Sequence, residues 1–85
     1  MTSRFIVLDA QESSVLQQPV VGQGGFQSLM RRLQSQFRAG TSELKITPDD
    51  IEQIQKYAFD YEQGGWEDDL LKIFARHLGA TLGRS

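Results

Sequence analysis

Apolar residues recur along the chain with two different spacings, which divide it into predicted strands and helices. Residues 4–8 read Arg-Phe-Ile-Val-Leu, a β-branched and aromatic run that is typical of a strand. Residues 9–14 are polar and turn-like. Residues 15–21 can return as a second strand that ends near Pro19, because proline cannot donate a ladder hydrogen bond. The N-terminal segment therefore predicts a β-hairpin, and the alternating residues 43–46 are a candidate third short strand.

Three later segments have helical spacing. The first begins after Gly24-Gly25, with apolar residues from Phe26 to Phe37 spaced as on one helix face. The second runs from residue 48 to about 61 and has the clearest local signal, because Thr47 is a natural N-cap followed by Pro48 and Asp50. The third covers residues 66–78, with Gly79 as a C-cap candidate.

These elements predict an α+β fold, with an N-terminal β-hairpin packed on three amphipathic helices. We expect one domain over residues 1–79 and a flexible C-terminal tail over residues 80–85. The apolar positions of the strand and helices define the expected core. It consists of Phe5, Val7, Phe26, Leu29, Met30, Leu33, Ile51, Ile54, Ala58, Trp66, Leu70, Ile73, Phe74 and Leu78.

Composition narrows the function further. The 85 residues include no cysteine and one histidine, which excludes disulfides, thiolate zinc sites and a multi-histidine metal site within one chain. His77 lies near a predicted helix end and no Gly-x-Ser-x-Gly motif is present, so we expect neither catalytic residues nor a cofactor. No apolar run is long enough to span a membrane, and the N-terminus lacks the pattern of a signal peptide. A cytoplasmic protein that is not an enzyme is the resulting expectation.

Charge and aromatic residues suggest a protein-binding surface. The net charge is −2, and residues 46–85 carry a surplus of acids. Tyr57 and Phe59 lie at the margin of the second helix's apolar face or outside it, which predicts exposed aromatics inside an acidic rim. The alternative is that Phe59 packs beneath the hairpin. The predicted contact set is Tyr57, Phe59, Asp60, Glu62, Glu67, Asp68 and Asp69, and its expected partner is a protein with a basic surface.

Two other functions stay open. The first helix carries Arg31, Arg32 and Arg38, and these arginines could serve a small DNA-binding regulator of helix-turn-helix type. The acidic net charge argues against general nucleic-acid binding. A structural homo-oligomer is the third hypothesis, because a small core leaves apolar surface to share.

A short motif occurs twice in the chain. Gln23-Gly24-Gly25-Phe26 opens the first helix and Gln63-Gly64-Gly65-Trp66 opens the third. In one interpretation each Gly-Gly pair only allows a sharp turn into a helix. In the other, the two turns lie together and present backbone N–H groups to a ligand.

The segments Gly-Gly-Phe-Gln-Ser-Leu and Tyr-Glu-Gln-Gly-Gly-Trp lie within a region, Gln23 to Gly79, that resembles small proteins of temperate phages and related mobile elements. That resemblance implies an accessory role. A small acidic phage protein of this kind would bind and block a host machine, including a nucleic-acid-guided defence complex. The partner would then be a host or phage protein.

Overall fold

Three short strands form one antiparallel sheet in the computed structural model, which describes residues 3–61 and 64–84. The strands are β1 (Arg4–Val7), β2 (Phe37–Arg38) and β3 (Glu43–Ile46), in the spatial order β1-β3-β2. The helices are α1 (Ala10–Leu16), α2 (Gly25–Ser35), α3 (Pro48–Phe59) and α4 (Gly64–Leu78). The α+β prediction is confirmed, and residues 43–46 form the central strand of the sheet.

The predicted N-terminal hairpin is wrong, because a helix follows β1 where a second strand was expected. The Asp9 carboxylate accepts from the Glu12 N–H at 2.8 Å, and the Glu12 carboxylate accepts from the Asp9 N–H at 2.9 Å. This reciprocal capping box starts α1, so the described residues contain four helices rather than three. β1 pairs instead with β3, from Arg4 opposite Ile46 to Val7 opposite Glu43.

The pairing of β1 with β3 also decides which face of β1 is buried. Ile6 lies opposite the buried Leu44 and points into the core, together with Leu8. Side chains alternate along a strand, so Phe5 and Val7 point outward and are 59% and 58% exposed. The prediction that Phe5 and Val7 belong to the core is therefore wrong.

The three predicted helices are present, with shifted ends. Phe37 belongs to β2 rather than to α2, and α4 begins at Gly64 rather than at Trp66. The predicted cap of α3 is confirmed, with the Thr47 hydroxyl accepting from the Asp50 N–H at 3.1 Å. Ile51, Trp66 and Leu78 pack at the edge of the core rather than inside it. The buried core consists of Ile6, Leu8, Leu16, Phe26, Leu29, Met30, Leu33, Leu44, Ile46, Ile54, Ala58, Leu70, Ile73, Phe74 and Leu82.

The segment after α4 is packed rather than free. The chain leaves α4 through Gly79, whose φ of 92° lies in the left-handed region. Leu82 is fully buried, and the Gln55 side chain donates to its carbonyl at 3.0 Å. Residues 80–84 thus contact α3 through Leu82, whereas the flexibility expected of residues 80–85 stays a prediction, and Ser85 lies outside the described residues. No described helix has both the length and the apolar character needed to cross a membrane.

Candidate functional site

Four aromatic side chains from three helices and one turn meet at one end of the molecule. The buried Phe26 of α2 stacks on Trp66 of α4, with ring centroids 4.7 Å apart. Tyr61, just after α3, stacks on Tyr57 at 4.9 Å. The two pairs meet edge to face, with Tyr57 5.8 Å and Tyr61 6.0 Å from Trp66. The cluster runs from a buried ring to Tyr61, which is 45% exposed, so the aromatic core reaches the surface here.

This cluster brings the two Gly-Gly-aromatic motifs together, since Phe26 and Trp66 are the aromatic residues of the repeated motif. The two glycine pairs have different surroundings. A Cβ on Gly25 would collide with the Tyr57 hydroxyl, whereas a Cβ on Gly64 or Gly65 would meet nothing within 4 Å. Gly25 is therefore required by packing, which supports the structural interpretation of the first motif.

The predicted acidic rim is divided by the fold. Glu67 and Asp68 are exposed on α4 just after Trp66. Asp69 is half-buried and lines a small depression together with Val20 and Phe26. Glu62 lies outside the described residues. Glu67 and Asp68 are thus the predicted acids that are exposed in the residues directly after Trp66.

Phe59 and Asp60 belong to a different contact. Arg84 donates two hydrogen bonds to the Asp60 carboxylate, at 2.8 and 3.1 Å, and its guanidinium lies 5.5 Å from the centre of the Phe59 ring. The hydrogen bonds from Arg84 lower the pKa of Asp60. Phe59 is half-buried against the core. These two residues therefore hold the C-terminal segment, and the structure groups them with Arg84 rather than with Tyr61.

The three arginines of the nucleic-acid alternative do not form one face. Arg31 donates to the carbonyl of Gly22 at 2.6 Å and so holds the loop before α2. Arg32 forms an ion pair with Asp50, which is 2% exposed and also accepts from Gln36 at 2.9 Å. Arg38 is exposed on β2, which follows α2 in the chain. Two of the three arginines are thus engaged within the fold.

Sequence reasoning missed a buried ionic cluster around Glu12, which is 4% exposed. Arg76 donates to both oxygens of its carboxylate, at 3.1 and 2.9 Å, and His77 Nε2 lies 3.1 Å away. Burial by itself would raise the pKa of Glu12, but the hydrogen bonds from Arg76, the Asp9 N–H and His77 lower it to about 2. The spacing Asp9-x-x-Glu12 was the one local signal for this cluster.

The Glu12 cluster joins β1, α1 and α4. Arg76 also donates to the Val7 carbonyl at 3.1 Å, so one guanidinium links the end of β1 to the buried carboxylate. His77, which is half-buried near the end of α4, belongs to the same hydrogen-bonded cluster. Among residues 3–61 and 64–84, no group of three or more potential ligands could hold a metal ion.

The fold and this surface define a small α+β domain with an aromatic cluster that opens beside two exposed acids. Comparison of the chain with protein-family models, curated protein sequences and solved structures yields no match. The functional conclusion therefore rests on the geometry of the chain itself.

Proposed function

We propose that this protein is a non-enzymatic binding module that recognises a basic surface on another protein. Its contact region is the aromatic–acidic surface, defined as Tyr57, Tyr61, Trp66, Glu67 and Asp68. The observation that carries the proposal is the stack of the exposed Tyr61 on Tyr57, edge-on to Trp66, with Glu67 and Asp68 exposed in the following residues.

Ring packing makes these aromatics suitable anchors. Each ring is already held by at least one neighbour at 6.0 Å or less, so binding would immobilise few additional rotamers. Tyrosine and tryptophan offer large apolar faces and a polar group that can hydrogen-bond at a partly wet interface. A preformed aromatic centre of this kind supports recognition by contact rather than chemical transformation.

The neighbouring acids would choose the partner. Glu67 and Asp68 would attract lysine and arginine side chains and repel acidic surfaces, which favours association and selects the binding orientation. Part of the attraction is screened at physiological salt, because both acids are exposed. The affinity for the partner should therefore fall as salt is raised, while the aromatic contribution remains.

Inhibition by occlusion is the finer form of the proposal. A cytoplasmic protein from a phage or mobile element would use this surface to cover the basic groove of a host nucleic-acid-handling or defence complex. Its support is the acidic surface, which carries charge of the same sign as nucleic acid, together with the resemblance of residues 23–79 to small phage proteins.

The test is capture from a nuclease-treated lysate of a candidate host, followed by affinity measurement with the purified partner. The test variant is the double charge reversal Glu67→Lys and Asp68→Lys. A matched control is Asp49→Lys with Glu52→Lys, because both of its acids are exposed and Asp49, like Glu67, lies in the first turn of a helix. We expect the test variant to lose at least about tenfold in affinity, and the control to bind as the unchanged protein does.

A second variant, Tyr61→Ser, removes the most exposed ring without touching the acids. Circular dichroism establishes that each variant is folded. If both the charge reversal and Tyr61→Ser leave the affinity unchanged, the contact region is not this surface. If capture requires nucleic acid and succeeds only before nuclease treatment, the DNA-binding alternative is favoured instead.

A further inference from the structure

β1 is an edge strand, and its backbone groups are arranged for a second strand. The Leu8 N–H donates to the Ser42 carbonyl at 2.9 Å, which places residues 4, 6 and 8 in hydrogen-bonded register with the β3 side. Bonding directions alternate along an antiparallel strand, so Phe5 and Val7 direct their N–H and C=O groups away from β3. Among the described residues no strand pairs with that edge.

The Val7 carbonyl shows directly that this edge points outward. It accepts from the Arg76 guanidinium at 3.1 Å, from the side opposite β3. A carbonyl oxygen has two lone pairs, so it can accept a second hydrogen bond beside this one. The Arg76 contact therefore occupies one acceptor position at the Val7 end of the edge. The backbone N–H and C=O groups of Phe5 remain available for pairing.

The same strand carries exposed apolar side chains. Phe5 and Val7 are two of the four large hydrophobic residues that are exposed among the described ones, and both lie on the outer face of the sheet. An exposed edge strand with apolar side chains is a template on which another strand can pair. The outer face continues across the sheet through Lys45 and Glu43, which lie opposite Phe5 and Val7.

We infer that β1 is a homodimer interface, in which two copies of this chain pair β1 antiparallel to β1 and join their sheets into one of six strands. With Ile6 at the two-fold axis, Phe5 of one copy lies opposite Val7 of the other. Phe5 and Val7 then exchange their outward N–H and C=O groups, giving four hydrogen bonds between the copies, in two of which the Val7 carbonyl accepts a second hydrogen bond beside the one from Arg76.

The choice of a second copy follows from self-complementarity. This register pairs residues 4–8 with the same residues of the other copy, with Ile6 opposite Ile6 at the centre. It places a phenylalanine beside a valine on the outer face twice, which is a favourable cross-strand pair. Arg4 of each copy lies opposite Leu8 of the other and one residue from Asp9, so each end of the paired strands brings Arg4 towards an acid that also lies 3.9 Å from Arg76.

The dimer is expected to be weak. Four to five residues per strand bury well below the roughly 800 Å² per partner of a standard interface, so we expect a dissociation constant on the order of 10–100 μM. The interface uses β1 alone, whereas the aromatic–acidic surface lies on α3 and α4. Failure of one proposal is therefore distinguishable from failure of the other.

Sedimentation of the full chain from about 10 μM to 1 mM tests the association. We expect the mass to rise from that of a 9.6 kDa monomer towards twice that value. Phe5→Lys, an outward substitution, should raise the dissociation constant at least about tenfold. Val21→Lys is the control, because Val21 is 84% exposed and lies outside the sheet, and it should dimerise normally. A monomer at 1 mM, or equal dimerisation of both variants, overturns the inference.

Amide hydrogen exchange of the unchanged protein locates the interface without any substitution. The N–H groups of Phe5 and Val7 should become protected only at concentrations where the dimer forms. The N–H groups of Ile6 and Leu8, which face β3, should be protected at every concentration. A dimer in which the Phe5 and Val7 amides exchange at the same rate as in the monomer would place the interface elsewhere.

Discussion

Replacing Glu12 with glutamine is expected to destabilise the protein at neutral pH and to have little effect in strong acid. Glu12 is 4% exposed, and its carboxylate accepts from Arg76, His77 and the Asp9 N–H. Glutamine keeps the size of the side chain but removes its charge and one acceptor. It therefore removes the carboxylate that accepts from the exposed Arg76 at 2.9 Å, and it puts a neutral amide, with donors of its own, at a buried position where lost hydrogen bonds are costly.

The shift in the pKa of Glu12 gives the size of the expected loss in the free energy of unfolding. The pKa falls from 4.5 to about 2 in the folded protein, because the hydrogen bonds from Arg76, the Asp9 N–H and His77 outweigh the effect of burial. At about 1.4 kcal/mol per tenfold change in proton affinity, ionised Glu12 contributes about 3 kcal/mol at pH 7. A carboxylate whose pKa is lowered by folding stabilises the folded state at pH values above its pKa in the unfolded chain. The contribution is thus complete above about pH 5.5, is reduced by roughly half at pH 3 and is nearly lost at pH 2.

Urea unfolding followed by circular dichroism measures this difference at pH 7, 5 and 3 for both proteins. The free energy of unfolding of the unchanged protein should exceed that of Glu12→Gln by about 3 kcal/mol at pH 7, and the gap should narrow by about half at pH 3. Glu52→Gln, on the exposed side of α3, is the control and should differ little from the unchanged protein at any pH.

A gap between the two proteins that does not change from pH 7 to pH 3 would refute the reasoning, because a packing defect alone does not titrate. If Glu12→Gln is unfolded at pH 7, the unchanged protein still provides the test. Its free energy of unfolding should then fall by about 2 kcal/mol or more between pH 5 and pH 3, since other paired carboxylates add to the loss.

Two further predictions concern packing. Leu82→Ala should lower the free energy of unfolding by about 2–4 kcal/mol in urea titrations, because Leu82 is fully buried; a loss below about 0.5 kcal/mol would show that the C-terminal segment is not docked. Gly25→Ala should destabilise the protein, since the new methyl group meets Tyr57, whereas Gly65→Ala should stabilise α4 by about 0.5–1 kcal/mol. Thermal melts of the two glycine variants compare the same chemical change at the two related motifs, and shifts of equal sign would contradict the structure.

Local patterns in the sequence predicted three of the four helices of the described residues. The cap of α3 could be predicted because Thr47, Pro48 and Asp50 interact within one turn. The equivalent box at Asp9 and Glu12 carries the same kind of signal, but the β-branched and apolar residues after it favoured a strand. Helix α1 was therefore missed because the strand pattern of residues 15–21 was given more weight than the capping box at Asp9 and Glu12.

The candidate site could be predicted only in part. Tyr57, Glu67 and Asp68 were named from their positions; Tyr57 lies in the aromatic cluster, and Glu67 and Asp68 are exposed in the two residues after Trp66. Phe26 joins that cluster from 40 residues before Trp66, and the repeated Gly-Gly-aromatic motif was the one sequence feature that related the two rings. Arg84 likewise pairs with Asp60 across 24 residues of sequence, so Asp60 is engaged within the chain rather than available to a partner.

The sequence by itself determined where most helices begin and end, and which of their faces are apolar, because these features depend on residues three or four positions apart. Only the tertiary structure decided that β1 pairs with β3, that Phe5 and Val7 face outward, and that Glu12 is buried against Arg76. Strand pairing and buried charge pairs join residues that are distant in the chain. Their energies depend on which surfaces meet when the helices and strands pack, and a one-residue change of strand register would reverse every inward and outward side chain.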